Sequence, residues 1–145
     1  MNKDDIDLFR SLDDYELLAV VLMGEARGEP IEGRIAVGCV IRNRVQHKTR
    51  FGKDYKTEIL RPWQFSCFNE KDLNLVLCRK LANGVIAEQA LYQETRWIAL
   101  GIVNNTLLDL TLGADHYHHK AIMPWWRKSM QVTAIKGNHI FCKEA

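Results

Sequence analysis

No apolar run in this sequence reaches the length of a membrane span, so membrane insertion is not expected of it. Charge of one sign is also lacking. Twenty Lys and Arg face eighteen Asp and Glu, and the net charge of +2 carries no nucleic-acid signature. Proline is scarce, with three residues, and no linker, repeat or low-complexity segment divides the chain. Cys39, Cys67, Cys78 and Cys142 match no zinc spacing. They read as free thiols of a reducing cytosol, with a late disulfide after export left open. Phosphate loops, dinucleotide fingerprints and the Gly-x-Ser-x-Gly nucleophile elbow are all missing. The opening Met1-Asn2-Lys3-Asp4-Asp5-Ile6-Asp7 is acidic and without the apolar stretch of a secretory signal. Synthesis in the cytoplasm is therefore expected, with passage to any other compartment dependent on another protein or on lysis.

What is present suits one globular domain over residues 1–145, with 47% apolar and 26% charged residues. A first helix is expected from Ser11, as its cap, to about Ala26, with a stripe of Leu18, Val21, Leu22 and Glu25. Gly28 suits its stop, and Pro30 suits the start of a second helix over about Ile31 to His47. Ile35 to Ile41 is apolar all round, which predicts a central helix. The small Ala36, Gly38 and Cys39 would let a neighbour approach closely. Arg42, Arg44, His47, Lys48 and Arg50 then read as a solvated basic helix end.

From Thr49 to Asn74 the periodicity breaks into an aromatic-rich segment, irregular or of short strands. Trp63 there is either a platform for a sugar ring or a core filler beneath a loop. Leu73 to Leu81 is a short helix or strand, and a third long helix covers about Val85 to Asn104. The end reads as a β-hairpin, with runs at 130–135 and 139–142 around a Gly137-Asn138 turn.

Glu25 is the candidate for chemistry. A carboxylate on an apolar helical stripe is costly to ionise, so its pKa should rise. An acid still protonated near neutral pH is what general-acid attack on a glycosidic bond needs. The alternative is a buried carboxylate that merely holds loop amides or Arg27. Glu94 shares the predicament between Leu91 and Ile98, but reads as a rim residue paired with an arginine. Glu29, beside Pro30, reads as a loop brace or helix cap.

The run Thr111 to His119 holds three histidines and Asp115. If extended, it puts His116 and His118 on one face and His119 on the other, a poor metal set. These side chains suit a polar cleft that hydrogen-bonds a substrate. No metal and no cofactor is expected.

Four blocks resemble a known family. Leu18 to Pro30 with Glu32-Gly33, Ala36-Val37 and Ile41-Arg42-Asn43-Arg44-Val45 resembles the opening of the cell-wall hydrolases typified by the spore-cortex-lytic enzyme SleB. Pro62-Trp63-Gln64-Phe65-Ser66 is similar to that family's Gln-Phe-Ser loop. Gly113 to His118, with Pro124 and Trp126 after it, is similar to its Gly-Ala-x-His-Tyr-His segment. Gly137-Asn138-His139-Ile140-Phe141 is similar to its Gly-x-His-x-Phe end. Met23-Gly24, Cys67 and Cys142 depart from the pattern.

The resemblance implies an α+β, mostly helical, lysozyme-like fold with a small β element beside the cleft. It implies cleavage of the β-1,4 bond between N-acetylmuramic acid and N-acetylglucosamine in peptidoglycan, the one partner expected of a monomer. It places the family's catalytic glutamate on Glu25. Gln64, Ser66, His116, Tyr117 and His118 would orient sugars, Trp63 would stack on them, and Glu29 and His139 would give structural support. Without a signal peptide or wall-binding module, the chain is more like phage and prophage endolysins, released to act on the wall in the periplasm during host lysis.

A hydrolytic muramidase usually needs a second carboxylate, whereas a lytic transglycosylase needs only one. Asp54, Glu58 and Asp115 are the candidates for a second, none compellingly placed, so the expectation is a lytic transglycosylase. The rivals are a hydrolytic muramidase, a metal-dependent hydrolase using His116, His118 and Asp115, and a peptidoglycan-binding module without chemistry.

Overall fold

The computed structural model describes residues 1–47, 50–62 and 64–144. Its organising element is α2 (Asp14–Ala26), with every residue from Leu17 to Met23 fully buried. The expected stripe is thus a whole cylinder of core. α3 (Ile31–Gln46), α4 (Tyr55–Ile59), α5 (Leu73–Ala82) and α6 (Gln89–Val103) pack around it. Burial on all sides explains why Leu, Val and Met occupy successive positions rather than helical spacing.

The expected helix from Ser11 is corrected in one respect. A separate α1 (Lys3–Arg10) precedes α2, and Ser11 ends α1 instead of starting the next helix. Asn2 caps α1 by accepting the Asp5 amide at 2.8 Å, and its own amide reaches Asp5 Oδ2 at 3.4 Å. Asp5 is nearly buried because Arg79 of α5 grips it with two bonds of 2.7 and 2.8 Å. An acidic, weakly apolar segment becomes a helix through its cap and this clamp, not through a stripe.

α3 is the buried helix its composition predicts. Gly38 lets α6 close in, since a Cβ there would lie 3.1 Å from Ile102 Cγ1. Its basic end is solvated only in part: His47 and Arg50 are exposed as expected, but the two arginines within the helix are not. Arg42 and Arg44 are 6% and 4% exposed. Arg42 Nη1 donates to the Ile102 carbonyl near the end of α6, and Arg44 Nε donates to the Asp115 carbonyl at 2.7 Å. Both satisfy backbone oxygens that burial would otherwise strand. Lys48 lies outside the described residues.

The segment 50–72 contains α4 and one 3-10 turn, Ser66–Phe68, and 73–82 is helical, with Asp72 capping the Asn74 amide at 2.8 Å. α6 starts at Gln89, four residues after the expected boundary.

Three antiparallel strands form the β element in the order β1-β3-β2: β1 (His116–His119), β2 (Met130–Lys136) and β3 (His139–Glu144). Tyr117 pairs with Phe141 across β1 and β3. Asn43 and Arg44 of α3 hold the loop before β1, the former by bonds to Asp109 and to the Ala114 carbonyl. Helix α3 thereby sets where β1 presents Tyr117. The result is mostly helical with a small sheet against the end of α2, in line with the expected class. All four cysteines are buried free thiols.

Candidate active site

Glu25 sits in the last turn of α2, where the helix leaves the core and its side chain reaches a cavity of about 350 Å³. The Tyr117 hydroxyl donates to Glu25 Oε1 at 3.2 Å, and Ser66 Oγ donates to Oε2 at 3.3 Å. Burial pushes the Glu25 carboxyl above its ordinary value of 4.5. The bonds from Tyr117 and Ser66 and the Cys67 amide pull the other way without cancelling it, and the negative charge of Asp72 adds to the rise. Both oxygens are held while burial favours the protonated form, the form a general acid starts from. Arg27 is not its partner, as it bonds the Met23 carbonyl and Asn74 Oδ1 and pairs with Glu88.

Three separate elements deliver the surrounding side chains. Ser66 is exposed on the 3-10 turn, whose Cys67 and Phe68 are buried. Phe68 packs on Phe9 with ring centroids 5.0 Å apart, and Cys67 lies directly beneath Gly24. The residue before Glu25 therefore has to be glycine for this turn to approach. Tyr117 and His116 come from β1. His116 Nδ1 is 2.7 Å from Asp115 Oδ1, yet burial holds its pKa below the usual value, with Arg44 and Arg50 adding to the drop. Burial also lifts the Tyr117 hydroxyl well above its usual pKa, so it stays a donor. Gln64 lines the cavity and accepts a 2.5 Å bond from Arg61.

Glu29 and His139 lie one turn away. Glu29 accepts from the Asn138 amide at 2.7 Å and from Asn138 Nδ2 at 2.8 Å, and His139 Nδ1 is 3.3 Å from Oε1. Burial works against the Glu29 charge, but the Asn138 bonds and His139 outweigh it, so its pKa falls below the usual value. The bridge ties the α2–α3 turn to the β2–β3 hairpin. Gly137 has φ +56°, and a Cβ there would lie 2.7 Å from Glu29 Oε1, so glycine serves both the turn and the bridge. The His139 ring packs edge-on beside Tyr117 at 5.1 Å.

The structure thus brings together Glu25, Gln64, Ser66, His116 and Tyr117. It sets His118 outside the cavity wall, with its ring against Trp126 and Nδ1 at the His119 carbonyl. Trp63 lies outside the described residues. Arg44, Asn69 and Trp126 also line the cavity without a site role in the sequence reading, although Arg44 and Trp126 fall in the family-like blocks. Arg44 carries a signal in hindsight. It falls on the helical spacing of Val37 and Ile41 in a buried helix, where a solvated charge has no place.

Glu25 is the one carboxylate lining this cavity among the described residues. Asp54 caps α4 through the Thr57 amide. Glu58 is fully buried and accepts from the Gly52 amide and Arg61. Asp115 faces His116. Glu94 pairs with Arg34 at 2.5 Å, as a rim residue would. The one His and carboxylate cluster able to converge, among the described residues, is Asp115, His116 and Glu144, without His118. Glu144 there is paired with the Arg50 guanidinium, so a dication would sit against a fixed positive charge.

A family model described as Cell Wall Hydrolase matches residues 28–142, beginning three residues after Glu25. The spore cortex-lytic enzyme of Bacillus subtilis (strain 168) is 32% identical over 135 residues, which cover 92% of this chain and 38% of that protein. The spore cortex-lytic enzyme of Halalkalibacterium halodurans is 30% identical over 135 residues, covering 89% and 34%. The chain therefore spans little more than a third of the length of these curated relatives. The catalytic domain of the Bacillus cereus SleB protein superposes with a TM-score of 0.65 at 27% identity, covering 90% of this chain and 89% of that one. The catalytic domain of the germination-specific lytic transglycosylase SleB from Bacillus anthracis also gives 0.65, at 24% identity over 99% and 97%, a likeness of fold. On a family match across most of its length and a shared fold, this chain belongs to the SleB-type cell wall hydrolase family.

Proposed function

We propose that this protein is a peptidoglycan lytic transglycosylase acting on the β-1,4 bond between N-acetylmuramic acid and N-acetylglucosamine. The observation that carries the proposal is the one carboxylate lining the cavity among the described residues, held by two hydroxyl donors and with its pKa raised by burial. In the first step the neutral Glu25 gives its proton to the glycosidic oxygen as the bond to C1 breaks. Positive charge develops at C1 and on the ring oxygen of the muramic acid residue. The carboxylate left behind faces that charge with both oxygens still bonded to Tyr117 and Ser66. In the second step the 6-hydroxyl of the same sugar attacks C1 and its proton returns to Glu25. The products are a 1,6-anhydro end and a new 4-hydroxyl, and the acid is regenerated.

One carboxylate suffices for this cycle. Capture by water from the opposite face usually takes a second carboxylate to activate it, and the cavity offers none among the described residues. His116, kept neutral, Gln64 and Asn69 supply donors and acceptors for sugar hydroxyl and acetamido groups, and Trp126 supplies an apolar face. A second cavity of about 610 Å³ borders the first at Phe65 and Asn69. The biological setting proposed is lysis, with the protein acting on the wall once it is released from the cytoplasm.

The test is Glu25→Gln, which keeps shape and removes the proton. Purified peptidoglycan should release no soluble muropeptides with this variant, while its circular dichroism matches the parent. Release at the parental rate would refute the assignment.

A further inference from the structure

Three of the four residues from Ile122 to Trp125 hold large apolar side chains in water. Ile122 is 63%, Met123 69% and Trp125 89% exposed, in the segment that links β1 to β2. Single exposed apolar residues are ordinary, but a contiguous group marks a contact surface. This group adjoins a sheet face. The next residue, Trp126, packs its ring against His116 and His118 at 5.2 and 5.7 Å. His118 pairs with Ile140 of β3, which pairs in turn with Ile135 of β2. Residues paired across strands point to one side of a sheet, so Ile135 shares the face on which Trp126 rests. Ile135 is itself 63% exposed.

The charge around this surface has one sign. From His116 to Lys143 there is no Asp or Glu against five Lys and Arg, although acids outnumber bases in the rest of the chain. Lys120 and Lys128 bracket the apolar group, both exposed and neither in an ion pair among the described residues. The Lys120 amide donates to the Asn138 carbonyl at 2.8 Å, which brings the hairpin turn with Lys136 alongside.

We infer that this face docks on the surface of a phospholipid bilayer with anionic headgroups. Ile122, Met123 and Trp125 enter the interface, and Lys120, Lys128 and Lys136 meet lipid phosphates. The two kinds of chemistry together select this occupant. A wall polymer would meet the lysines and Trp125 and leave Ile122, Met123 and Ile135 in water. A second copy would cover the aliphatic chains but press two acid-free, basic surfaces together. An anionic bilayer answers both, because indole settles at the headgroup level and each nearby lysine is attracted. No helix among the described residues is long and apolar enough to cross a membrane, so the contact is with the surface. His116 and Trp126 also line the Glu25 cavity, so docking holds the cleft beside the membrane.

Vesicle sedimentation tests this without any cleavage, so its outcome is independent of the proposed reaction. The wild-type protein should bind vesicles of phosphatidylglycerol and phosphatidylcholine in equal parts about tenfold or more tighter than phosphatidylcholine alone, and less tightly as salt rises. Lys120→Gln and Lys128→Gln should each weaken binding about fivefold. Ile122→Ser combined with Trp125→Ser should weaken it about tenfold or more. These four side chains are exposed, so every variant should keep the parental circular dichroism and the parental rate on soluble peptidoglycan fragments. Absence of binding to the anionic vesicles, equal binding to both kinds, or binding that either set of variants leaves unchanged overturns the inference. Retention on peptidoglycan sacculi, or self-association in the ultracentrifuge, that the apolar pair of substitutions abolishes while vesicles are ignored also overturns it.

Discussion

Replacing Gly24 by Ala pits two calculable effects against each other beside the catalytic carboxylate. In a helix interior Ala is favoured over Gly by about 0.8–1 kcal/mol. Against this, a Cβ at position 24 would lie 2.7 Å from both Cβ and Sγ of Cys67 and 2.9 Å from Cys78 Sγ. Ordinary contacts between such atoms fall at about 3.5–4.0 Å, so each pair overlaps by roughly 1 Å. Cys67 and Cys78 are both fully buried and have no solvent to retreat into. Overpacking of this kind costs about 1–3 kcal/mol, and three simultaneous contacts put it in the upper part of that range. The net expectation is a loss of about 1–2 kcal/mol, or about 2–8 °C in Tm for a chain of this size. The strain has a direction. Cys67 lies on the turn that carries Ser66 and supplies an amide to Glu25, so pushing it away loosens the carboxylate. A misplacement near 1 Å should lower kcat/KM by about 10–100-fold. Urea unfolding and muropeptide release measure the two effects. Adding Cys78→Ala should recover part of the stability by removing one contact. A variant that gains about 1 kcal/mol and keeps full activity would show that helix propensity alone governs position 24 and would refute this packing.

Tyr117→Phe removes a bond that favours ionised Glu25, so the Glu25 pKa should rise further and the alkaline limb of kcat/KM against pH should move upward. An unmoved or lowered limb would contradict the geometry. Ser66→Ala should shift the limb in the same direction by less. Glu25→Gln should be more stable than the parent above the ordinary carboxylate pKa. The raised folded-state pKa makes the parent lose stability as pH climbs from its unfolded value through its folded one. The difference should vanish in acid, as urea titrations at several pH values would show. Glu29→Gln should show the opposite sign. Its lowered pKa contributes stability above the ordinary value that is lost as pH falls, so the variant should cost about 1–3 kcal/mol near neutrality and less in acid, by the same titrations.

The sequence makes Glu25 legible because a carboxylate among Leu18, Val21 and Leu22 violates helical patterning, and such violations mark costly groups. The central helix α3 and the terminal hairpin are legible for related reasons, an apolar run in one and a Gly-Asn turn between β-prone runs in the other. α1 is not, because its stability comes from Asn2 as a cap and from Arg79, 74 positions from Asp5. Arg42 and Arg44 mislead because basic residues at a helix end ordinarily meet water, and only the fold reveals that backbone oxygens of α6 and of the loop before β1 await them. Asn69 joins the cavity through chain packing over long separations, which local pattern does not encode, and Trp126, though part of a family-like block, carries no local mark of its place there. The Glu29 bridge is half legible. Its place beside Pro30 suggests a brace, but its partner lies 109 residues on.

The central claim is that one carboxylate, Glu25, both gives and takes the proton while the sugar's own hydroxyl closes the ring. Mass spectrometry of peptidoglycan digested in heavy-oxygen water tests this most directly. The account predicts 1,6-anhydro-muramic ends carrying no heavy oxygen, and none of these ends with Glu25→Gln. Labelled reducing ends from the parent protein would contradict it, showing that water, not the 6-hydroxyl, captures the cleaved sugar.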